Sequence, residues 1–327
     1  MSTPALAIQF SDAEMRLLQN LVYQECGMYF DARRTHFLQD RLQRRLRECR
    51  MDSFYSYYRL LISAAGKQEL TQLLENLTVN ETSFFRNKAQ LDLFHKHILD
   101  EIIRHKQARR EHHLRIWSAG CSTGQEPYTI AMLVADALAY HQLRMPHSAD
   151  TTWPKPLVPP PWKVEIPASD INYSVLRAGQ EGIYNEHQMS SVDYSYRLRY
   201  FDKVGERYAV KKAIKEVIHF DFHNLKTEFL PQSNDIIFCR NVMMYFDEAE
   251  QRRLVEKFYR CLSPGGYLLV GHAESLLGLT SRFTMVYHDS GTAYKRIEVS
   301  QCASSPMNAA PKCVISSLRR RKTYFSL

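Results

Sequence analysis

The chain has 327 residues, 45% hydrophobic and 24% charged, an ordinary globular composition with length for roughly two domains of about 150 residues each. Lys and Arg outnumber Asp and Glu for a net charge of +8, which favours an acidic partner, whether nucleic acid, a membrane surface or a carboxylate-rich protein. Residues 1–10 lack the pattern of a secretory leader, no stretch approaches the roughly 20 apolar residues of a membrane span, and the seven cysteines form no Cys-x-x-Cys pair, so a cytoplasmic protein with reduced thiols is expected, without a disulfide framework or structural zinc.

In chain order, residues 1–77 read as an all-helical domain. Ser11-Asp12-Ala13-Glu14 is a capping box, followed by Leu17, Leu18, Leu21 and Val22 at helical spacing. A second helix over residues 35–49 places Leu38, Leu42, Leu46 and Cys49 on one stripe and Arg41, Arg44, Arg45, Arg47 and Arg50 on its flanks and outer side. That basic face is either solvated and laced with i,i+4 charge pairs or a docking surface for an acidic partner. Residues 78–110 form a linker and connecting helix.

From Leu114 the pattern changes to short apolar runs separated by helical stretches, which predicts a parallel sheet with crossover helices over residues 111–297. Leu114-Arg115-Ile116-Trp117 is the first strand, ending in the turn Ser118-Ala119-Gly120-Cys121-Ser122-Thr123-Gly124. Glu126-Pro127 opens a helix to about Tyr140. Residues 145–161 hold six prolines and read as an extended surface loop. Val164-Glu165-Ile166 is the next strand and stops at Ala168-Ser169-Asp170. Alternation through Tyr208, Val210, Val217, Ile218 and Phe220 predicts a small antiparallel insert over about residues 183–220. Strands at 235–239 and 266–270 flank a helix at 248–262 that Ser263-Pro264-Gly265-Gly266 ends. Residues 298–327 have no periodicity and carry Lys312, Arg319, Arg320, Arg321 and Lys322 against Glu298, which predicts a disordered basic tail.

Ligands of open parallel sheets bind at the carboxyl ends of the strands. Gly120 and Gly124 there allow close backbone approach, and the next helix offers free N–H groups. Asp170 ends the second strand, where a carboxylate can accept from both hydroxyls of a ribose; its other reading is a helix cap. No phosphate-binding lysine follows the glycine turn, so a nucleoside cofactor without a diphosphate cradle is favoured, and S-adenosylmethionine fits, with its sulfonium near Glu126 and its carboxylate near Arg86.

Four stretches then resemble the chemotaxis receptor methyltransferases of the CheR type: Asn80-Glu81-Thr82-Ser83-Phe84-Phe85-Arg86, residues 118–128, Ala168-Ser169-Asp170-Ile171-Asn172, and residues 238–247 followed by Gly271-His272-Ala273-Glu274-Ser275. The resemblance covers about residues 11–296. It implies an α/β fold, a Rossmann-like S-adenosylmethionine-dependent methyltransferase domain with a small antiparallel β-subdomain, preceded by an all-α domain. It implies that Asn80, Thr82 and Arg86 reach the cofactor from the linker, Glu126 lies beside its methionyl portion, Asp170 holds the ribose, Asn224 and Leu225 flank the adenine, and Asn241 and Val242 close the pocket. The implied reaction forms a glutamyl methyl ester on a chemoreceptor, by alignment and without a single catalytic side chain, because a free glutamate is already ionised at neutral pH. The implied partners are the acidic methylation helices of receptors, docked by Arg41, Arg44, Arg45 and Arg47, with the enzyme a monomer.

The turn Val204-Gly205-Glu206 is short beside those of members that hold a receptor's carboxyl-terminal pentapeptide, so that tether is not expected. A nucleic-acid amino-methyltransferase would carry an Asp/Asn-Pro-Pro-aromatic sequence where this chain has Arg240-Asn241-Val242-Met243, so no nucleic-acid partner is expected. A noncatalytic signalling module would tolerate loss of the cofactor residues, all of which remain. The histidines at 95, 97, 105, 112 and 113 lack the company of a metal site, and Cys121 lacks an activating base.

Overall fold

The computed structural model describes residues 10–143, 158–228, 233–289 and 291–297. The expected basic tail and most of the proline-rich loop lie outside them.

Helix α1 (Asp12–Cys26) starts as its capping box dictates: the Ser11 hydroxyl accepts from the Glu14 N–H while the Glu14 carboxylate accepts from the Ser11 N–H. With α2 (Thr35–Glu48), α3 (Phe54–Leu61) and α4 (Lys67–Leu77) it encloses a core that includes Leu18, Val22, Leu38, Leu42, Leu46, Tyr57 and Leu73, all fully buried. Burial of each such side chain is worth about 1.5–3 kcal/mol.

One cation of α2 departs from its expected place. Arg45 sits seven residues after Leu38, on the apolar stripe, and is buried with 8% exposure. Its Nε lies 2.9 Å from Glu69 Oε1, which also accepts from the Tyr57 hydroxyl at 2.7 Å, and a further guanidinium nitrogen pairs with Glu48. Arg45 is therefore part of the helical core and is corrected from the docking set.

Helix α5 (Lys88–Leu93) continues through a π-helical turn at Phe94–Ile98 into α6 (Leu99–Ala108). The sheet then alternates with helices: β1 (His113–Ala119), α7 (Gln125–Leu143), β2 (Lys163–Asp170), α8 (Tyr173–Glu181), β3 (Ile183–Asn185), α9 (Tyr194–Tyr200), β4 (Phe201–Val204), β5 (Arg207–Val210), α10 (Lys212–Lys215), β6 (Ile218–Phe222), β7 (Asn234–Cys239), α11 (Glu248–Cys261), β8 (Leu262–Val270), β9 (Phe283–His288) and β10 (Gly291–Arg296). Seven strands form one sheet in the order β6-β2-β1-β7-β8-β10-β9, the first five parallel and β10 antiparallel to both neighbours. A second sheet, β3-β5-β4, is antiparallel, with β4 and β5 joined at Gly205-Glu206.

Two sequence expectations change, and one element is added. Residues 218–220 leave the insert, because β6 pairs in parallel with β2, Ile166 opposite Ile218 through Asp170 opposite Phe222. An edge strand wetted on one face alternates just as a hairpin strand does, so pattern alone could not separate them. Ser263-Pro264-Gly265-Gly266 lies within β8, beside a register shift at Asn234 and Ile236 in β7. The β9–β10 hairpin completes the far edge.

The helical domain rests on the sheet's carboxyl face. Met28 and Phe246 form an isolated antiparallel bridge, and the Tyr29 N–H donates to the Tyr245 carbonyl at 2.8 Å.

Candidate active site

The segments after β1, β2, β6 and β7 converge on one cavity, which encloses about 1050 Å³ between atoms including its solvent-open mouth. Linker residues 78–83 and Arg86 form a further wall, and Cys26 and Met28 bring the helical domain to it. All nine residues expected at the cofactor line this space: Asn80, Thr82, Arg86, Glu126, Asp170, Asn224, Leu225, Asn241 and Val242.

The two glycines of the first turn have different reasons. Gly120 has φ +85°, and a Cβ there would stand 2.3 Å from Val242 Cγ2, so the glycine lets the turns after β1 and β7 meet under the cavity. Gly124, at φ +93°, packs instead against the Gly179 Cα and the Tyr184 hydroxyl, both 3.0 Å from an added Cβ. Its expected role in ligand approach is corrected to helix packing.

Asp170 is buried at the end of β2. Its Oδ2 accepts from the Ser122 N–H at 2.9 Å and its Oδ1 from the Asn172 N–H at 3.0 Å. Burial raises its pKa, and those backbone donors oppose the rise. The helix-cap role falls to Asn172, whose Oδ1 accepts from the Ser174 and Val175 N–H groups.

Glu126 has its Oε1 2.7 Å from the donating Ser118 hydroxyl and its Oε2 3.3 Å from Arg240 Nη1. Burial raises the Glu126 pKa, against the Arg240 charge, and burial lowers that of Arg240. Another Arg240 nitrogen donates to the Arg86 carbonyl, and its Nε is buried without a partner among the described protein atoms. Arg240 had no role in the sequence reading. The signal was there: β7 is buried along its whole length, and a cation directly at its carboxyl end needs a paired anion.

The linker is fixed at several points. Phe84 is fully buried, edge-on to Tyr184 and Phe201 with centroids at 4.8 and 5.5 Å, and the Ser191 hydroxyl donates to its carbonyl at 2.7 Å. The Asn80 carbonyl accepts from the Ser122 hydroxyl at 2.9 Å, and Arg86 Nη1 donates back to the Glu81 carbonyl at 2.9 Å. On the opposite wall, Asn224 Nδ2 donates to the Glu25 carbonyl at 2.7 Å, and Lys257 donates to the carbonyls of Leu225, Lys226 and Thr227. Asn241 takes φ +60°, and its N–H donates to Glu274 Oε2 at 2.8 Å. Glu274 also accepts from Gly271 and Met244 and so braces the turn, while His272 is exposed outside the cavity lining.

Arg41, Arg44 and Arg47 lie outside that lining. Arg44 pairs with Glu48 at 2.9 Å, Arg41 lies over the Phe37 ring, and Arg47 donates to the Gln43 carbonyl. No group of three potential metal ligands occurs among the described residues. Burial pushes the Cys121 thiol well above its usual range, which removes it as a nucleophile.

Residues 80–148 and 155–292 match the family described as CheR methyltransferase, SAM binding domain, and residues 13–78 match its all-alpha domain. The chain belongs to the CheR methyltransferase family. A chemotaxis protein methyltransferase of Escherichia coli is 33% identical over 284 residues, 85% of this chain and 90% of that one. One from Borreliella burgdorferi is 32% identical over 276 residues, 84% and 92% of the two chains. Among solved structures, the N-methyltransferase NodS of Bradyrhizobium japonicum with S-adenosyl-L-homocysteine aligns at a TM-score of 0.30 with 13% identity, covering 61% of this chain and 88% of that one. The cofactor of a CheR methyltransferase is S-adenosylmethionine, and the donor set here fits it. Carboxylates and guanidinium groups stand in one cavity, matching a ligand with both a carboxylate and cationic centres, and the orphan Arg240 Nε is a donor awaiting an acceptor. No helix among the described residues is long and apolar enough to cross a membrane.

Proposed function

We propose that this CheR methyltransferase moves the methyl group of S-adenosylmethionine onto glutamate side-chain carboxylates of chemoreceptors, giving glutamyl methyl esters. The observation that carries this is the meeting of Asp170, the Glu126–Arg240 pair and the linker's Arg86 around one cavity at the strand ends. When bound, the cofactor supplies an electrophilic methyl carbon on a sulfonium. Asp170 holds the ribose hydroxyls, Arg86 meets the methionyl carboxylate, Glu126 faces the cationic end, Asn80 and Thr82 border the ligand from the linker, Asn224 and Leu225 flank the adenine, and Asn241 and Val242 form the floor. The acceptor glutamate, with an ordinary pKa of about 4.3, arrives ionised and needs no base. The residues of this chain therefore bind, align and exclude water, and alignment of this kind can account for several kcal/mol of barrier.

Two outcomes follow. Asp170 and Glu126 have pKa values raised by burial, above 3.8 and 4.5 respectively, and they bind as anions. Cofactor affinity is expected to fall as pH drops through those raised values, at a higher pH than ordinary carboxyls would give. In the free protein the sign is opposite: the stability these protonated carboxyls contribute is fully present below the ordinary values and lost as pH rises through the raised ones. Calorimetric titrations of cofactor between pH 4 and 7, paired with melting curves, check both. Separately, reversing Arg41, Arg44 and Arg47 to Glu is expected to raise the KM for receptor about tenfold while leaving cofactor affinity unchanged; an unchanged KM rejects docking by α2.

The reaction itself is tested by incubating the protein with labelled cofactor and receptor membranes, then treating the product with alkali. A glutamyl methyl ester releases volatile methanol. Label that survives alkali as a methylated amine or base overturns the proposal.

A further inference from the structure

Residues 170–174 belong to both domains at once. Asp170 lines the cavity, and the next residue, Ile171, packs against the helical-domain core. Asn172 caps α8 with its Oδ1, and its Nδ2 donates to the Thr78 hydroxyl at 3.0 Å and the Glu75 carbonyl at 3.3 Å. Glu75, from the last turn of α4, is buried with 8% exposure. Its Oε1 accepts from the Tyr173 N–H at 3.0 Å and its Oε2 from the Ser174 hydroxyl at 2.8 Å. The first N–H groups of α8 are thus divided between the helix's own cap and a carboxylate from the other domain, whose charge suits the positive end of the helix dipole. Each strand-end turn has to be held against something. For the turn that carries Asp170, the Ser122 and His223 N–H groups hold Asp170 itself from within its own domain, and the helical domain holds the residues that follow it, Asn172 to Ser174.

We propose that Glu75 is a positioning residue for cofactor binding: by seating the helical domain on the amino end of α8 it fixes the backbone that presents Asp170 to the cavity. Domain docking and cofactor affinity are then two readings of one equilibrium, and each strengthens the other by the same factor. The proposal rests on Asp170 holding the cofactor, and its test separates the two assignments.

The experiment is calorimetric titration of the full chain with S-adenosylhomocysteine, with melting curves in parallel, for Glu75→Ala, Glu75→Gln, Asp170→Asn and the double variant Glu75→Ala/Asp170→Asn. Glu75→Ala is expected to weaken binding about tenfold, within the usual range of intersite coupling. Glu75→Gln is expected to stay within about threefold of the parent, because its Oε1 still accepts from Tyr173 while its amide donates to the Ser174 hydroxyl. In the Asp170→Asn background Glu75→Ala is expected to cost less than about twofold more, since the group it positions is already compromised. Should Glu75→Ala not fold, Ser174→Ala is read in its place, with a loss of about threefold for one hydrogen bond. A lower melting temperature with unchanged affinity, or fully additive losses in the double variant, overturns the role of Glu75. Unchanged affinity in Asp170→Asn overturns the assignment of Asp170 and the proposal with it, whereas loss there and none at Glu75 overturns Glu75 alone.

Discussion

Asp170→Ala is expected to weaken S-adenosylmethionine binding by about a hundredfold or more. A carboxylate that accepts from two hydroxyls makes two charge-assisted hydrogen bonds, each worth about 1.5–3 kcal/mol, and every 1.4 kcal/mol is tenfold in affinity. The same change strips the Ser122 and Asn172 N–H groups of their acceptor, so the melting temperature falls too. Asp170→Asn separates the two effects. Its amide oxygen still accepts one backbone hydrogen bond, so stability drops less, while the missing charge and second acceptor still weaken binding. Parent-like affinity by calorimetry in the folded Ala variant sinks the ribose assignment.

Arg240→Ala is expected to cost about 3–5 kcal/mol of stability, because it leaves the Glu126 carboxylate buried with the Ser118 hydroxyl as its remaining partner. It also frees the Arg86 carbonyl, so the linker loosens where it crosses the cavity. The pH dependence identifies the cause. Loss of the arginine pushes the already raised Glu126 pKa higher, so the defect is largest at neutral pH and shrinks in mild acid as the carboxyl takes up a proton. Pairing Arg240→Met with Glu126→Gln removes both charges and is expected to recover most of the loss. Urea unfolding from pH 5 to 8 measures this, and a deficit independent of pH assigns the damage to packing.

What the sequence makes legible is local. The capping box at Ser11, the strand endings at Asp170 and Cys239 and the hairpin at Gly205 all follow from short-range rules, whereas β1 runs two residues past the expected Trp117 to Ala119; the residues after those strands are the ones that line the cavity. Pairing at a distance is not written in such patterns. Whether Ile218 joins the insert or β2 depends on which edge is free, and whether Arg45 faces solvent or Glu69 depends on how α4 lies across α2. Arg240 and Glu75 escaped notice for the same reason, since each acts through a partner from a remote stretch of chain.

The bridge between Met28 and Phe246 joins the chain's first domain to the turn after its fourth parallel strand in sheet order. Contacts so far apart in sequence form late, and synthesis delivers the helical domain long before residue 246 leaves the ribosome. A chain arrested after residue 200 would lack the cavity residues from His223 to Phe246, and Tyr245, which packs against the helical core, and so would have no chamber for a nucleoside. Occupancy by the methyl donor thus requires the chain through the turn after β7, and it reports that long-range closure in a way that helix content does not.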